Sequence, residues 1–294
     1  MNGILIINKE KNVTSHDVVN KVRKLLNIKK VGHVGTLDPI STGVLVVLVG
    51  GATKLAPFLE NDSKEYVARI CFGFSTDSYD VTGNIIEEKY NFNLNEFLLD
   101  DVLKLMKGGQ KQKPPMYSAV KVFGKKLYEY ARKNQDVEVP SREIEVYEAK
   151  RITNLFVNDK YTYCDVVFHV SKGTYIRSLI NDIGIKLGIP CCMSELHRTR
   201  SGKFLIENSC LIDDVKVGNF QLINPIKILD MPMLKINESS DLYKKAINGM
   251  KISPSVFENK PFRFSVVCND QLVAIYEYCD NEIPHYKSIR VWNE

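Results

Sequence analysis

The sequence predicts an α+β fold with a mixed sheet, followed by a small C-terminal β-rich domain. Segments with the two-residue period of strands and segments with the helical period are intermingled, without the regular alternation of a doubly wound parallel sheet. Beyond about residue 230 the pattern changes to short strands separated by turn residues. With 294 residues, 44% hydrophobic and 26% charged, the chain can bury one large core and a smaller second one.

Residues 4–7, Ile-Leu-Ile-Ile, form the first strand candidate. Thr14-Ser15-His16-Asp17 has the form of a capping box and opens a helix whose Val18, Val22, Leu25 and Leu26 share a face. Residues 44–49 are a continuous apolar run of strand length, and residues 52–59 a short helix. Residues 64–74 alternate, with Tyr66, Ala68, Ile70, Phe72 and Phe74 on one face, and a hairpin turn follows at residues 81–85. Asn95 caps a helix carrying Phe97, Leu98, Leu99, Val102, Leu103 and Met106, which stops at Gly108-Gly109. Residues 161–171 are a further strand, and Thr174 caps a helix to Leu187 that ends before Gly188 and Pro190. In the last segment Pro232 precedes a short helix near residues 241–247, then Asn248-Gly249 and strands at 262–267 and 272–278. The domains read as 1–230 and 231–294.

The formal net charge of +5 permits a polyanionic partner without demanding one. Seven cysteines with no C-x-x-C spacing suggest reduced core residues rather than a disulfide framework or a zinc site. No stretch approaches the roughly 18 apolar residues of a membrane span, and the 4–7 run is too short for a signal peptide, so a soluble cytoplasmic protein is expected.

The densest chemistry lies at residues 32–43, Gly-His-Val-Gly-Thr-Leu-Asp-Pro-Ile-Ser-Thr-Gly, just before the 44–49 run. A hairpin turn capped by Asp38 accounts for Pro39 and Gly43 but not for His33 and Gly35. The stretch resembles the nucleophile loop of the TruB family of pseudouridine synthases, G-H-x-G-x-L-D-P-x-A-x-G-x-L, and departs from it at Ser41. Three further segments resemble that family: Lys64-Glu65-Tyr66 its K-x-Y, residues 171–179 its S-K-G-T-Y-I-R-S/T-L, and residues 196–204 its L-x-R-x-x-x-G-x-F. The resemblance implies that Asp38 is the catalytic carboxylate and that Arg177 pairs with it. It implies that Tyr66 lies against the target uracil as a proton acceptor, and that His33, Tyr175, Leu196 and Lys9 contact the nucleotide. Physically, a guanidinium beside Asp38 favours the ionised form that burial alone would disfavour.

A second region stands out by charge. Residues 107–133 hold seven lysines, Arg132 and only Glu129 against them, with Tyr117, Phe123, Tyr128 and Tyr130 interleaved. Charge alone fits a solvated basic surface equally well. The wording of residues 112–132 resembles the family's Q-x-P-P-x-Y-S-A-x-K-x-x-G-x-x-x-Y-x-x-A-R, which starts a basic insertion at about 107–150 that grips the tRNA T-arm. Lys113, Lys121, Lys125, Lys126 and Arg132 are then RNA contacts, and Arg198, Arg200 and Lys203 are expected to face phosphate.

One family signature is altered. Where K-P-x-G-x-T-S is usual, residues 9–15 read Lys-Glu-Lys-Asn-Val-Thr-Ser. Asn12 tolerates the left-handed conformation a glycine would take, so the turn is expected to persist.

The resemblance implies isomerisation of uridine 55 in the T-loop of tRNA by base flipping, with no metal or organic cofactor, no guide RNA and no protein partner, by a monomer. The segment after residue 230 resembles an RNA-binding PUA domain. Alternatives are a guide-dependent synthase of the box H/ACA type, and a non-catalytic tRNA-binding or folding protein; the combination of Asp38, Tyr66 and Arg177 argues against the latter. A hydrolase using Asp38 in acid–base work lacks a second carboxylate near it in sequence.

Overall fold

The computed structural model describes residues 1–60, 63–133 and 135–292. The chain opens with strand β1 (Gly3–Lys9), helix α1 (Ser15–Leu25), β2 (Val31–Val34) and β3 (Thr42–Val49). A 3-10 turn at Gly50–Leu55 leads into α2 (Ala56–Leu59), then β4 (Lys64–Phe72), β5 (Phe74–Thr76) and β6 (Ile85–Glu88). Next come α3 (Glu96–Leu105), β7 (Gly108–Gln112), the hairpin strands β8 (Lys121–Val122) and β9 (Lys125–Lys126), and α4 (Leu127–Ala131). Two long strands, β10 (Arg142–Arg151) and β12 (Tyr161–Val170), flank the short β11 (Phe156–Asn158) and lead to α5 (Ile176–Leu187), β13 (Cys191–Ser201), β14 (Phe204–Leu205) and α6 (Ile212–Lys216).

The main sheet runs β1-β3-β13-β4-β12-β10-β7, with β2 beside β3, β11 beside β12 and β14 beside β13. It is mixed because β13 meets β3 parallel, while its other named pairings are antiparallel. Helices α3 and α5 cover one face: Leu99, Val102, Leu103, Leu179, Ile180 and Ile183 pack on Ala68, Ile70, Phe72, Val166 and Phe168. On the β1–β3 side, Val18, Val19 and Val22 of α1 pack on Leu5, Ile7, Leu45 and Val47. The 44–49 run is thus covered on both faces, as its unbroken hydrophobicity requires.

A second sheet, β15 (Met233–Lys235), β16 (Arg263–Cys268), β17 (Gln271–Cys279) and β18 (His285–Val291), with α7 (Asp241–Ile247) against it, has its own core around Phe264, Tyr276 and Tyr286. Ile275 and Trp292 carry it onto the main body, where the Trp292 indole donates to the Gly51 carbonyl at 2.8 Å.

Several local expectations change in detail. The capping box forms with Thr14 and Asp17, and Asn95 caps α3. Thr174 does not cap α5. Tyr175 holds that position, and its N–H is taken at 2.8 Å by the side chain of Gln112 from β7. Gly108-Gly109 does not simply end α3 but opens a strand against β10, and Gly73, with φ +117°, divides residues 64–74 into two strands. Five of the seven cysteines are buried and none is paired.

Gly43 permits the parallel contact that makes the sheet mixed. It has φ +101°, and a Cβ there would sit 2.3 Å from the Arg198 carbonyl oxygen. Gly43→Ala is therefore expected to destabilise the protein by more than about 3 kcal/mol, through combined backbone strain and overlap. Urea unfolding checks this, and a loss below about 1 kcal/mol would contradict the assigned β3–β13 register.

Candidate active site

The site is built from the outside inward, starting with the loop between β2 and β3. Leu37 and Ile40 are buried in the large core, so the residues on either side of Asp38-Pro39 are held by apolar packing. Polar contacts from the first turn fix the backbone between them. The Ser15 hydroxyl accepts the Leu37 N–H at 2.9 Å and donates to the Leu37 carbonyl at 3.1 Å. The Pro39 carbonyl accepts the Asn12 N–H at 2.7 Å and the Lys9 ammonium at 3.3 Å. Asn12 has φ +65°, the left-handed conformation expected of the residue standing in the glycine position.

Lys9 is fully buried, and its ammonium also donates to the carbonyls of Glu10 (2.9 Å) and Val13 (2.7 Å). The expected role of Lys9 as a nucleotide contact is therefore corrected, because the charge faces three backbone carbonyls and braces the Asp38 loop. Burial lowers its pKa to about 8, against the opposing pull of Asp38.

The Asp38 carboxylate emerges from this brace with its side chain 38% exposed, while Arg177, 3.0 Å away, is only 5% exposed. Arg177 stands on the first turn of α5, and its guanidinium serves four partners. It donates to the carbonyls of Ser78 and Tyr117, each at 3.0 Å, and pairs with Asp38 and with buried Asp80 at 3.4 Å. Asp80 was not expected from the sequence. Its local signal, an Asp two residues before Thr82, indicates only a turn, which does form: Asp80 accepts from the Thr82 N–H at 2.9 Å and its hydroxyl at 2.5 Å. Nothing in that pattern shows that the other carboxylate oxygen reaches Arg177.

The second carboxylate alters the electrostatics. The Asp38 pKa is raised, first by the protein packed around the carboxyl; Arg177 opposes this and Asp80 reinforces it. The expected stabilisation of the ionised form by Arg177 is present, but it is outweighed.

Tyr66 and Leu196, on neighbouring strands β4 and β13, are nearly buried and belong to the same apolar cluster as Leu37 and Ile40. Tyr175 is half-buried, and the Gln112 amide holds both its N–H (2.8 Å) and its carbonyl (3.0 Å). The Arg142 guanidinium lies 5.5 Å from the Tyr175 ring, a contact the sequence did not suggest. His33 lies on β2 with its Nδ1 buried and unpartnered among the described residues, and burial lowers its pKa. Ser41, the departure from the family motif, is fully buried, with no hydrogen-bond partner for its hydroxyl among the described residues.

The basic residues separate into two groups. Lys113, Lys121, Lys125 and Arg132 are exposed and Lys126 is half-buried; Lys113 follows β7, and the others lie on the β8–β9 hairpin and at the end of α4. Arg198 does not face phosphate. It is 1% exposed, and it donates to the carbonyls of Val44 and Gly35, both at 2.7 Å, because β13 carries its side chain under the loop. Arg200 is turned to Glu65 at 3.7 Å, and Lys203 pairs with Asp230.

A carboxylate with a raised pKa binds its proton more tightly folded than unfolded, so it lowers stability as pH rises through the folded value. Removing it should reverse that loss. Asp38→Asn is expected to match wild-type stability near about pH 4 and to exceed it near about pH 7, as read by urea unfolding. A variant less stable than wild type at the higher pH would contradict the assigned shift.

Comparison with known proteins follows the same lines. The model of the TruB family pseudouridylate synthase N-terminal domain matches residues 23–176, and that of the tRNA pseudouridylate synthase B C-terminal domain matches residues 177–221. The boundary falls at Arg177, so the Asp38–Arg177 pair draws on both. The chain is 40% identical to tRNA pseudouridine synthase B of Staphylococcus aureus strain MRSA252 and of strain MSSA476, over 99% of each chain. Among solved structures, a Cbf5–Nop10–Gar1 complex has a chain with TM-score 0.67 and 24% identity, covering 99% of this chain and 84% of that one. A box H/ACA ribonucleoprotein bound to a substrate RNA gives 0.67 and 23%, covering 99% and 85%. The chain belongs to the TruB family of pseudouridylate synthases.

Proposed function

We propose that this protein converts uridine to pseudouridine in tRNA, at uridine 55 of the T-loop, as a cytoplasmic monomer that needs neither guide RNA nor protein partner. The observation that carries the proposal is the half-open Asp38 carboxylate, 3.0 Å from buried Arg177 and beside the cluster containing Tyr66 and Leu196. Full-length similarity to curated tRNA pseudouridine synthases B supports the choice of substrate.

The reaction breaks the N1–C1′ bond, turns the uracil and joins C5 to C1′; C5 loses a proton and N1 gains one. The uridine first leaves its stack, since neither bond can be reached inside it. Asp38 acts in its ionised form, at the sugar carbon, by promoting a glycal, or at C6 of the ring, and each route needs a deprotonated carboxylate held against the bound nucleoside. Arg177 holds it there. Tyr66 lies against the detached base and accepts the C5 proton, Leu196 closes the apolar wall, and Tyr175 and His33 flank the nucleotide. No proton is available from Lys9, whose donors are engaged with carbonyls.

The exposed cations Lys113, Lys121, Lys125 and Arg132, with half-buried Lys126, contact the phosphates of the T-arm, and the sheet that starts at Met233 forms a small RNA-binding domain of PUA type over residues 231–294. Arg200 contributes at the edge of this surface while paired with Glu65.

Purified protein incubated alone with an unmodified tRNA transcript is expected to form pseudouridine at that one position, and Asp38→Asn to lower the rate by more than about a thousandfold. No product with the wild type, or equal product with the variant, overturns the reading. Replacing Lys125 and Lys126 with Ala is expected to weaken tRNA binding and to reduce the salt slope of log K by about 1 to 2. A slope unchanged from wild type counts against the arm as a phosphate contact.

A further inference from the structure

The basic arm's tyrosines are already engaged with the rest of the chain. Tyr128 lies between Lys126 and Arg132, whose charges are 5.4 and 5.2 Å from its ring, and Lys125 lies 5.9 Å from Tyr130. The Tyr130 hydroxyl donates to the Val122 carbonyl at 3.1 Å, and the Tyr117 hydroxyl to Asp77 at 3.4 Å. All three are partly buried. The Tyr128 and Tyr130 rings fix the cations in place, which leaves less of their faces for a ligand.

Phe123 is different. It is 88% exposed, at the tip of the hairpin in which Val122 pairs with Lys125. Phe123 and Gly124 have φ +47° and +80°, so the two-residue turn is of the type that favours Asn-Gly. A phenylalanine there is disfavoured by its backbone, buries little within the chain and stands among Lys121, Lys125 and Lys126 in the sequence. The tip is also fixed relative to the site. Leu127 and Tyr128 N–H groups bond the Val120 and Ser118 carbonyls, and the Tyr117 carbonyl accepts from Arg177. Six residues span at most about 20 Å, which bounds the Tyr117–Phe123 Cα separation.

We infer that Phe123 is a stacking contact for an unpaired nucleobase of the bound RNA, a base other than the one being isomerised and within a few nucleotides of it. The lysines around the ring neutralise the flanking phosphates while the ring supplies the face on which the base lies. The inference deepens the proposed tRNA function and rests on it.

The test uses the full chain, an unmodified tRNA transcript and two variants. Phe123→Asn removes the ring and installs the Asn-Gly pair that the turn favours, so loss of the hairpin does not explain its effect. It is expected to weaken binding between about fivefold and about a hundredfold, the range for one base–aromatic stack, and to leave the salt slope unchanged, since no charge is lost. Phe123→Trp is expected to bind like wild type and to show fluorescence quenching by RNA beyond that of Trp292, the single native tryptophan. Wild-type affinity in Phe123→Asn, with pseudouridine still formed by the wild type, overturns the stacking contact and leaves the proposed function standing. Absence of both binding and product in the wild type overturns both.

Discussion

One guanidinium between two carboxylates sets the terms for this site. Arg177 is buried, and a buried charge left unpaired destabilises a fold strongly, so partners for it are a requirement before they are a mechanism. Asp80 and the two carbonyls meet that requirement from inside. Asp38 can then sit on the outer side of the guanidinium, close enough to be oriented and open enough to meet a ligand. The cost of the arrangement falls on Asp38, whose ionisation is disfavoured by its surroundings and by Asp80. The proposed reaction, in which a base turns in a pocket, uses a carboxylate held in this way, aimed and only partly hydrated.

Holding such a group requires a loop that cannot relax away from it. Leu37 and Ile40 give the loop its apolar anchors, and Ser15, Asn12 and Lys9 close off its backbone. Arg198 does the same from below, joining Gly35 to Val44 through two carbonyls. Two buried cations are thus used as backbone staples within a few residues of Asp38. Lys9 supports the ionised carboxylate only in part, lowering the Asp38 pKa less than Arg177 does. Their main effect is mechanical, and it explains why a loop with several glycines can present one side chain in a fixed place.

The arm joins this construction through backbone rather than through charge. The Tyr117 carbonyl is bonded to Arg177, and the Ser118 and Val120 carbonyls carry the hairpin onward. A basic segment that sequence presents as a charge run is therefore joined by one hydrogen bond to the guanidinium that pairs with Asp38. Its tyrosines set the positions of its cations instead of projecting freely, so the local geometry of positive charge is determined by rings packed beneath it.

Which of these features the sequence revealed depends on range. The Thr14 capping box and the Asn95 cap follow from neighbours within a few residues, the left-handed Asn12 from the glycine position it takes in the family signature, and the structure holds all three as read. Both-face burial of the 44–49 run follows from its continuous hydrophobicity. Asp80 is hidden because its turn signal is complete without Arg177, ninety-seven positions away. Lys9 and Arg198 mislead for a related reason: a cation in sequence carries no mark of whether its charge meets water, phosphate or carbonyl oxygens. That distinction is made by strand register, which puts Lys9 opposite Gly43 and Arg198 beside it. With no side chain at Gly43, the Arg198 backbone can approach β3 closely, so the glycine that permits the parallel contact also admits the strand whose guanidinium is stapled to Gly35 and Val44 beneath the Asp38 loop.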